Sequence, residues 1–416
     1  MRRLAVMAAC MVLAASANAA PRNEKIHAAV DANRAGALDL LREIVNIDSG
    51  TGDIEGGNKV AAILAARLTA IGAQVRREPT EVPGLPDNLV AVWHGTGKGR
   101  ILIIAHLDTV FGPGTASARP FRMEEGRMDA GRAYGPGVGD EKGGVVLAVT
   151  ALKILHDTGF RDYATITLMI DNSEERGSTG STALIKKLAV QHDVEFNMEP
   201  GDAPDVLTVW RKGSASVRLV VKGRAAHAGM APQDGRNAAL ELVHQVTALD
   251  GAFPKSGDGT TVNLTLMTGG SRANIIPDTA EATYSVRYRK PEDYAAVIAK
   301  MQDTARTVQI PDTVVTVVPP TTGFPPLIQN DRITALANRA NAIYAEIGKT
   351  AVLGGNGGAS ESATVMSVGT VALDGLGPVM GDAHNDKEWI DLNSVAPRLY
   401  LITRLLMETG KNPPTK

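Results

Sequence analysis

Two histidines and a group of acids stand in five short segments of this chain: His106-Leu107-Asp108, Gly139-Asp140-Glu141-Lys142-Gly143-Gly144, Glu174-Glu175-Arg176-Gly177-Ser178, Met198-Glu199-Pro200 and Asp382-Ala383-His384. Imidazole nitrogen and carboxylate oxygen together suit a borderline divalent cation, and zinc accepts both. One such segment alone reads as a solvated acidic loop. Five in one chain supply what two metals sharing a bridging carboxylate require, two histidines and three acids. A di-magnesium or di-manganese phosphatase would need more oxygen ligands and groups that grip phosphate, and the sequence offers neither.

These residues must be held by something rigid. From residue 100 the chain alternates strand-like apolar runs with helical patterns, which argues for parallel strands with helices on the faces of the sheet. The run 101–105 ends at His106, the β-branched run 164–170 ends just before Ser173-Glu174-Glu175, and the run 194–198 ends at Glu199. Ligand sites in open α/β sheets gather beyond the carboxyl ends of the strands, where all three segments stand. The Gly-, Pro- and Arg-rich stretch 110–135 reads as a long loop of the kind that borders a functional site.

Between residues 212 and 321 the rhythm changes to strand 215–222, helix 235–250, strand 260–268, strand 279–288, helix 291–308 and strand 313–318. That β-α-β-β-α-β order is the ferredoxin-like signature. A helix over 332–347, a glycine-rich turn at 354–358 and a closing helix over 392–407 then resume the first unit. With 416 residues, two domains are expected. The predicted division is an α/β domain of residues 21–211 and 322–416, interrupted by a small α+β domain of residues 212–321.

Residues 1–20 stand apart. Arg2 and Arg3 precede an apolar run from Leu4 to about Ala15, and Ala17-Asn18-Ala19 follows, the layout of a cleavable secretory signal. The run is shorter than the about 20 residues that a permanent membrane anchor needs. The expectation is export, to the periplasm or the medium. The single cysteine, Cys10, lies inside this segment, so the mature chain would rely on its core and its metals rather than on disulfides. A net charge of −2 points away from nucleic acid and from anionic membrane surfaces.

Several segments in this order resemble one family: AHLDTV at 105–110, GPGVGDEKGG at 135–144, NSEERGSTGS at 172–181, MEP at 198–200, GRAAHAG at 223–229, NIIP at 274–277, VRY at 286–288 and AHNDKEWI at 383–390. The chain is similar over about residues 35–410 to the di-zinc metallopeptidases of the M20 clan, and within it to the bacterial glutamate carboxypeptidases. The resemblance implies a large zinc-dependent exopeptidase-like domain, a mixed sheet flanked by helices, with an inserted ferredoxin-like dimerisation domain. It implies two Zn2+ per subunit, with Co2+ or Mn2+ as substitutes, and a homodimer formed through residues 212–321.

Carried over by position, the pattern makes Asp140 the bridge, with His106 and Glu199 completing one ion and Glu175 and His384 the other. Asp108 would hold the free imidazole nitrogen of His106, and Glu174 would act as general base toward the attacking water. His227 would reach from a partner subunit to stabilise the oxyanion. Arg287 and Asn274 would contact the substrate, Arg287 by pairing with a terminal carboxylate, and Gly357, Gly358 and Ser360 would form the glycine-rich turn beside it. The remaining histidines (His27, His94, His156, His192 and His244) read as surface or packing residues, and Lys142 as structural.

The expected activity is cleavage of the amide bond preceding a C-terminal amino acid, glutamate being the residue the resemblance suggests, in a small peptide or N-acyl amino acid. The turn carries Ser360 and Glu361 where that family has Thr and Asp. The 205–206 and 319–322 stretches supply no basic residue for a glutamate side chain. An N-acyl-amino-acid deacylase or a dipeptidase would use the same metal site, since fold and metal do not fix the substrate. A metal-stabilised binding protein without turnover is the reading from another class, and it would be expected to have lost Glu174 or a ligand.

Overall fold

The computed structural model describes residues 20–124, 131–320 and 323–415. The export segment predicted at the amino terminus lies outside these residues apart from Ala20, as does part of the loop predicted at 110–135.

A six-stranded sheet forms the centre, in the order Gln74–Glu78, Asn88–His94, Thr165–Asp171, Arg100–His106, Val194–Asn197 and Val371–Leu373. The last four strands run parallel, and the first two add antiparallel edges, so the sheet is mixed. Strand Arg100–His106 is buried from Ile101 onward, as a central parallel strand covered on both faces must be. Its side chains alternate between two apolar layers. Ile101, Ile103 and Ala105 join one, and Leu102 and Ile104 the other.

Helices Glu24–Val45, Lys142–Thr158 and Leu392–Lys411 pack together over the first layer, and Thr182–Ala189 and Glu361–Ser367 pack together over the second. Helix Lys142–Thr158 carries glycines in its first turn for a steric reason. A Cβ on Gly144 would fall 2.0 Å from the carbonyl oxygen of Met198, so the helix lies against the end of strand Val194–Asn197 only without one.

A four-stranded antiparallel sheet follows, in the order Thr261–Gly269, Thr279–Tyr288, Gly213–Lys222 and Val314–Val318. Helices Ala238–Leu249 and Pro291–Ala305 pack on it, and Val217, Leu219, Leu242, Val286 and Met301 belong to a hydrophobic cluster of its own. In chain order these elements run strand, helix, strand, strand, helix, strand. The inward positions of the first and third strands are apolar, whereas Ser214, Ser216, Ser285 and Arg287 lie on the opposite face, the period of two that a half-covered sheet demands.

The chain then adds helix Asp331–Ala345 and strand Val352–Asn356, which pairs in parallel with Val206–Arg211. The glycine-rich turn predicted at 354–358 is shorter than expected, because Gly354 and Gly355 belong to this strand. A Cβ on Gly355 would stand 2.0 Å from the carbonyl oxygen of Trp210, so the glycine serves close strand approach, and only Gly357 and Gly358 turn.

The closing helix is locked by Arg398, a fully buried guanidinium. It donates to Asp205 Oδ1 at 2.6 and 3.0 Å, to the carbonyl of Val206 at 2.8 Å and to the carbonyl of Gly375. Removing such a charge partner strands the remaining groups away from water. Arg398→Met is therefore expected to lower unfolding free energy by about 3 kcal/mol, measured as a shift in the urea midpoint at unchanged m-value.

Candidate metal centre

Parallel pairing sets the site. His106 lies opposite Asp171, and Ile104 opposite Asn197, so the residues just beyond these strand ends share one edge of the sheet. His106, Glu174 and Glu199 converge there. Asp140 arrives from the loop before helix Lys142–Thr158, and His384 from the turn between strands Val379–Gly381 and Trp389–Asp391.

The side chains form two triads whose candidate ligand atoms lie within 4.8 Å of one another: His106, Glu174 and Glu199, and Asp140, Glu175 and His384. Asp140 connects them. Its Oδ1 is 3.0 Å from His106 Nε2, and its Oδ2 is 3.2 Å from His384 Nε2, so the two oxygens of one carboxylate face two different imidazoles. Glu175 Oε2 stands 3.2 Å from His384 Nε2, and Glu199 Oε1 3.5 Å from His106 Nε2. Glu174 Oε2 is farther away, 4.0 Å from the same nitrogen.

The tautomer of His106 tests whether cations fit. Its Nδ1 is 3.0 Å from the backbone carbonyl oxygen of Asp108, which can only accept, so Nδ1 carries a proton. In the neutral state a metal ligand must have, Nε2 then aims its lone pair at Asp140 and Glu199; burial opposes ionisation of the ring, yet its bonds to Asp108, Asp140 and Glu199 raise it well above the ordinary imidazole range, so the site favours positive charge here. Lone pairs meeting carboxylates repel unless positive charge lies between them, and Glu175 Oε1 is buried without a hydrogen-bond partner among the described residues. The donor set fits two N/O-liganded divalent cations.

The titration behaviour has the same origin. Burial and the neighbouring acids Glu199, Glu361 and Glu175 push Glu174 well above the usual carboxylate range. Burial also raises Glu175 to about 7. Hydrogen bonds to Asp140 and Glu175 raise His384 to about 10. Burial opposes ionisation of Asp140, yet its bonds to His106 and His384 hold it below the ordinary range.

A surrounding layer holds these groups in place. Glu388 is buried and accepts three backbone N–H bonds, from Gly137 at 3.0 Å, Gly139 at 2.8 Å and Asp140 at 3.0 Å. Glu141 accepts the backbone N–H of His106 at 2.9 Å. Arg211 donates to Glu199 Oε2 at 3.2 Å while Asp374 binds it through both oxygens at 2.7 Å each. The Asp108 carboxylate is 3.5 Å from His106 Nδ1, and it also accepts the backbone N–H groups of Glu174 and Glu175 and the hydroxyl of Thr51.

Other predicted residues divide. Arg287, Gly357 and Gly358 line a cavity of about 420 Å³ that also contains Asp140, Glu174 and His384. Ser360 does not line it: the residue is fully buried, and its hydroxyl donates to Asp374. Asn274 also lies outside that lining and is exposed, its carbonyl accepting from Ala228 N at 3.0 Å. His227 is exposed too, and its Nδ1 accepts the backbone N–H groups of Gly229 and Met230, which leaves Nε2 as the donor. His192 is a packing residue between Leu188 and Thr167, and His27 pairs with Asp31 on a helix surface. Lys142 is buried, its Nζ donating to the Ile47 carbonyl at 2.8 Å. Glu388 and Glu141 sit inside two of the quoted motifs, where their presence was the available signal. Arg211 and Asp374 had none, since 163 positions separate them.

One buried and one exposed imidazole, paired with carboxylates about a shared carboxylate beyond the carboxyl ends of parallel strands, define a metallohydrolase. The chain belongs to peptidase family M20/M25/M40, whose sequence profile matches residues 102–408, and it is a zinc-dependent metallopeptidase or amidohydrolase of that family. Carboxypeptidase G2 of Pseudomonas sp. (strain RS-16) is 33% identical over 410 residues, covering 98% of this chain and 97% of that protein. A succinyl-diaminopimelate desuccinylase of Beijerinckia indica is 26% identical over 393 residues, with 89% and 98% covered. Among solved structures, a Staphylococcus aureus tripeptidase superposes with a TM-score of 0.73 at 21% identity, covering 91% of this chain and 99% of that one.

Two outcomes follow. Protons on the buried ligands compete with metal, so affinity is expected to climb as pH rises from about 6 towards 10, with proton release on binding seen by calorimetry in buffers of different ionisation enthalpy. Glu388→Ala should weaken metal binding by about 10- to 100-fold, read by competition with a chromophoric chelator.

Proposed function

We propose that this protein is an exported di-zinc hydrolase of carboxypeptidase type, cleaving the amide bond that precedes a C-terminal amino acid. The observation that supports the reading is the presence of Arg287 in the same cavity as Glu174 and Glu199 of one triad and Asp140, Glu175 and His384 of the other. His106, Asp140 and Glu199 would hold one ion and Asp140, Glu175 and His384 the other. Asp140 is assigned ahead of Glu174 because it stands 3.0 Å rather than 4.0 Å from His106 Nε2. When bound, the cations supply Lewis acidity toward the scissile carbonyl and the attacking water, and Co2+ or Mn2+ would serve in place of zinc.

Every other step belongs to the chain. Glu174, raised above the usual carboxylate range by burial and neighbouring acids, takes a proton from water as the new C–O bond forms and delivers it to the nitrogen as the C–N bond breaks. Arg287 pairs with the substrate's terminal carboxylate. Its guanidinium has no ion pair among the described residues, whereas Arg211 in the same cavity is held by Asp374 and Glu199. A glutamate side chain on the released residue would therefore find no cation of its own in the described lining. The main-chain carboxylate, common to peptides and N-acyl amino acids, is what the cavity reads, so deacylase and dipeptidase substrates fall within the same reading.

Residues 212–321 are proposed to form an inserted ferredoxin-like domain and a homodimer interface, with 21–211 and 322–416 as the catalytic domain. The separate hydrophobic cluster supports the first statement. Exposed Leu264, Leu266 and Met267 on edge strand Thr261–Gly269, with Leu240 and Val243 on helix Ala238–Leu249, support the second. His227 of a second copy would then supply its Nε2–H to the oxyanion, and Asn274 of that copy would lie near it. The export reading rests on the sequence of residues 1–20.

Glu174→Gln is expected to lower kcat by at least about a hundredfold on an N-acyl amino acid while zinc content by mass spectrometry stays unchanged. Near-normal turnover would remove Glu174 as the base. Arg287→Ala should raise KM for substrates with a free carboxylate and leave their amides, already poor substrates, no worse.

A further inference from the structure

The cavity that holds Arg287 carries a carboxylate that neither ligand triad uses. Asp202 lines it, on the short strand Gly201–Asp202, which pairs in parallel with Val379–Gly381 just beyond Glu199. Its position is fixed from two sides. A Cβ on Gly201 would stand 2.5 Å from the Arg398 guanidinium, so the locked side chain of the closing helix holds the backbone directly before Asp202. Asp202 Oδ2 accepts the Asn356 side-chain amide at 2.6 Å, and that amide is oriented in turn, because Asn356 Oδ1 accepts the Gly358 N–H at 2.9 Å. Asp202 Oδ1 makes no hydrogen bond among the described residues, and the residue is half-buried.

No nearby cation is free to neutralise it. Arg211 lies within electrostatic reach of three acids, Asp374, Glu199 and Asp202, but its charge-assisted bonds go to Asp374 and Glu199. Lys212, next along the chain, stands outside the lining, and its ammonium donates to the Gly257 carbonyl. Asp382, the other acid of the lining outside the triads and Glu199, is exposed and accepts the Trp389 Nε1–H at 3.1 Å. Beside the metal centre the cavity therefore offers one unpaired guanidinium, Arg287, and one half-buried carboxylate, Asp202.

We propose that Asp202 selects the side chain of the released residue, and that this side chain is basic, an ammonium or guanidinium on an aliphatic stem as in lysine, ornithine or arginine. The inference rests on the carboxypeptidase reading, in which Arg287 takes the main-chain carboxylate. The substrate's second charge is then read by the opposite sign. A terminal ammonium meeting Asp202 Oδ1 makes a charge-assisted hydrogen bond in a cavity of about 420 Å³. A glutamate side chain placed there would bring two carboxylates together, and like charges in a partly water-excluded space repel.

The test compares Nα-benzoyl derivatives of lysine, norleucine and glutamate as substrates of the zinc-loaded full-length enzyme, read as kcat/KM. Their binding to Glu174→Gln protein is measured in parallel by calorimetry. Lysine is expected to exceed norleucine, which has the same stem without the charge, by about tenfold or more, the factor that a hydrogen bond to a charged group supplies. Glutamate should fall below norleucine. Asp202→Asn, which keeps an acceptor for the Asn356 amide, should bring the lysine-to-norleucine ratio towards one at unchanged zinc content, and Asp202→Lys should move the preference to glutamate. A parent enzyme that favours glutamate, equal handling of lysine and norleucine, or a lysine preference unmoved by Asp202→Asn would overturn the proposal. Tighter binding of the lysine compound with no hydrolysis of any of the series would sustain the role of Asp202 and sink the hydrolytic reading. Hydrolysis of all three without a lysine advantage would do the reverse.

Discussion

Four carboxylates, those of Asp140, Glu141, Glu174 and Glu199, stand within 4.0 Å of the Nε2 of one fully buried imidazole, His106. That nitrogen has no proton to offer in the neutral ring, because the Asp108 carbonyl holds the proton on the other side. Like charges at this separation in a low-dielectric interior repel strongly. Only added positive charge, as metal or as protons, makes the arrangement stable, and the surrounding structure resists the alternative of moving apart. The parallel strands fix three backbones side by side, and the layer of Glu388, Glu141, Asp108 and Arg211 fixes the loops between them.

That surrounding layer is made largely of charge meeting backbone. Glu388 and Asp108 between them accept five N–H groups from the loops that carry Asp140, Glu174 and Glu175. A carboxylate satisfied by backbone donors sets the path of a loop more tightly than a packed apolar side chain, because its geometry is directional. The ligands therefore need few contacts of their own, and their lone pairs stay available.

Much of this could be read along the chain, and the reason is local. His106, Glu174, Glu175 and Glu199 each directly follow a short apolar strand, so composition and spacing alone placed them at one sheet edge. The elements between 213 and 318 were legible because a period of two alternates with a helical period there. What stayed hidden depends on contacts between distant segments. Arg211 meets Asp374 only once strand Val206–Arg211 lies beside the later elements. Ser360 turned inward because Asp374 offered its hydroxyl a buried acceptor. Gly354 and Gly355 looked like a turn, since a sequence does not reveal that a neighbouring Trp210 requires a bare backbone. Asn274 and His227 were placed by motif alone and lie away from the cavity of their own chain.

The turn between Val379 and Asp391 carries both His384, a proposed ligand, and Glu388, the clamp on the loop of Asp140. Both lie more than 180 positions beyond Glu199, the last of the other proposed ligands along the chain. A chain still emerging from the ribosome thus holds His106, Glu174, Glu175 and Glu199 but neither the second imidazole nor the brace that shapes the shared carboxylate. The centre is thus incomplete until that turn has been made, so one turn supplies a ligand, a brace and a wall of the site.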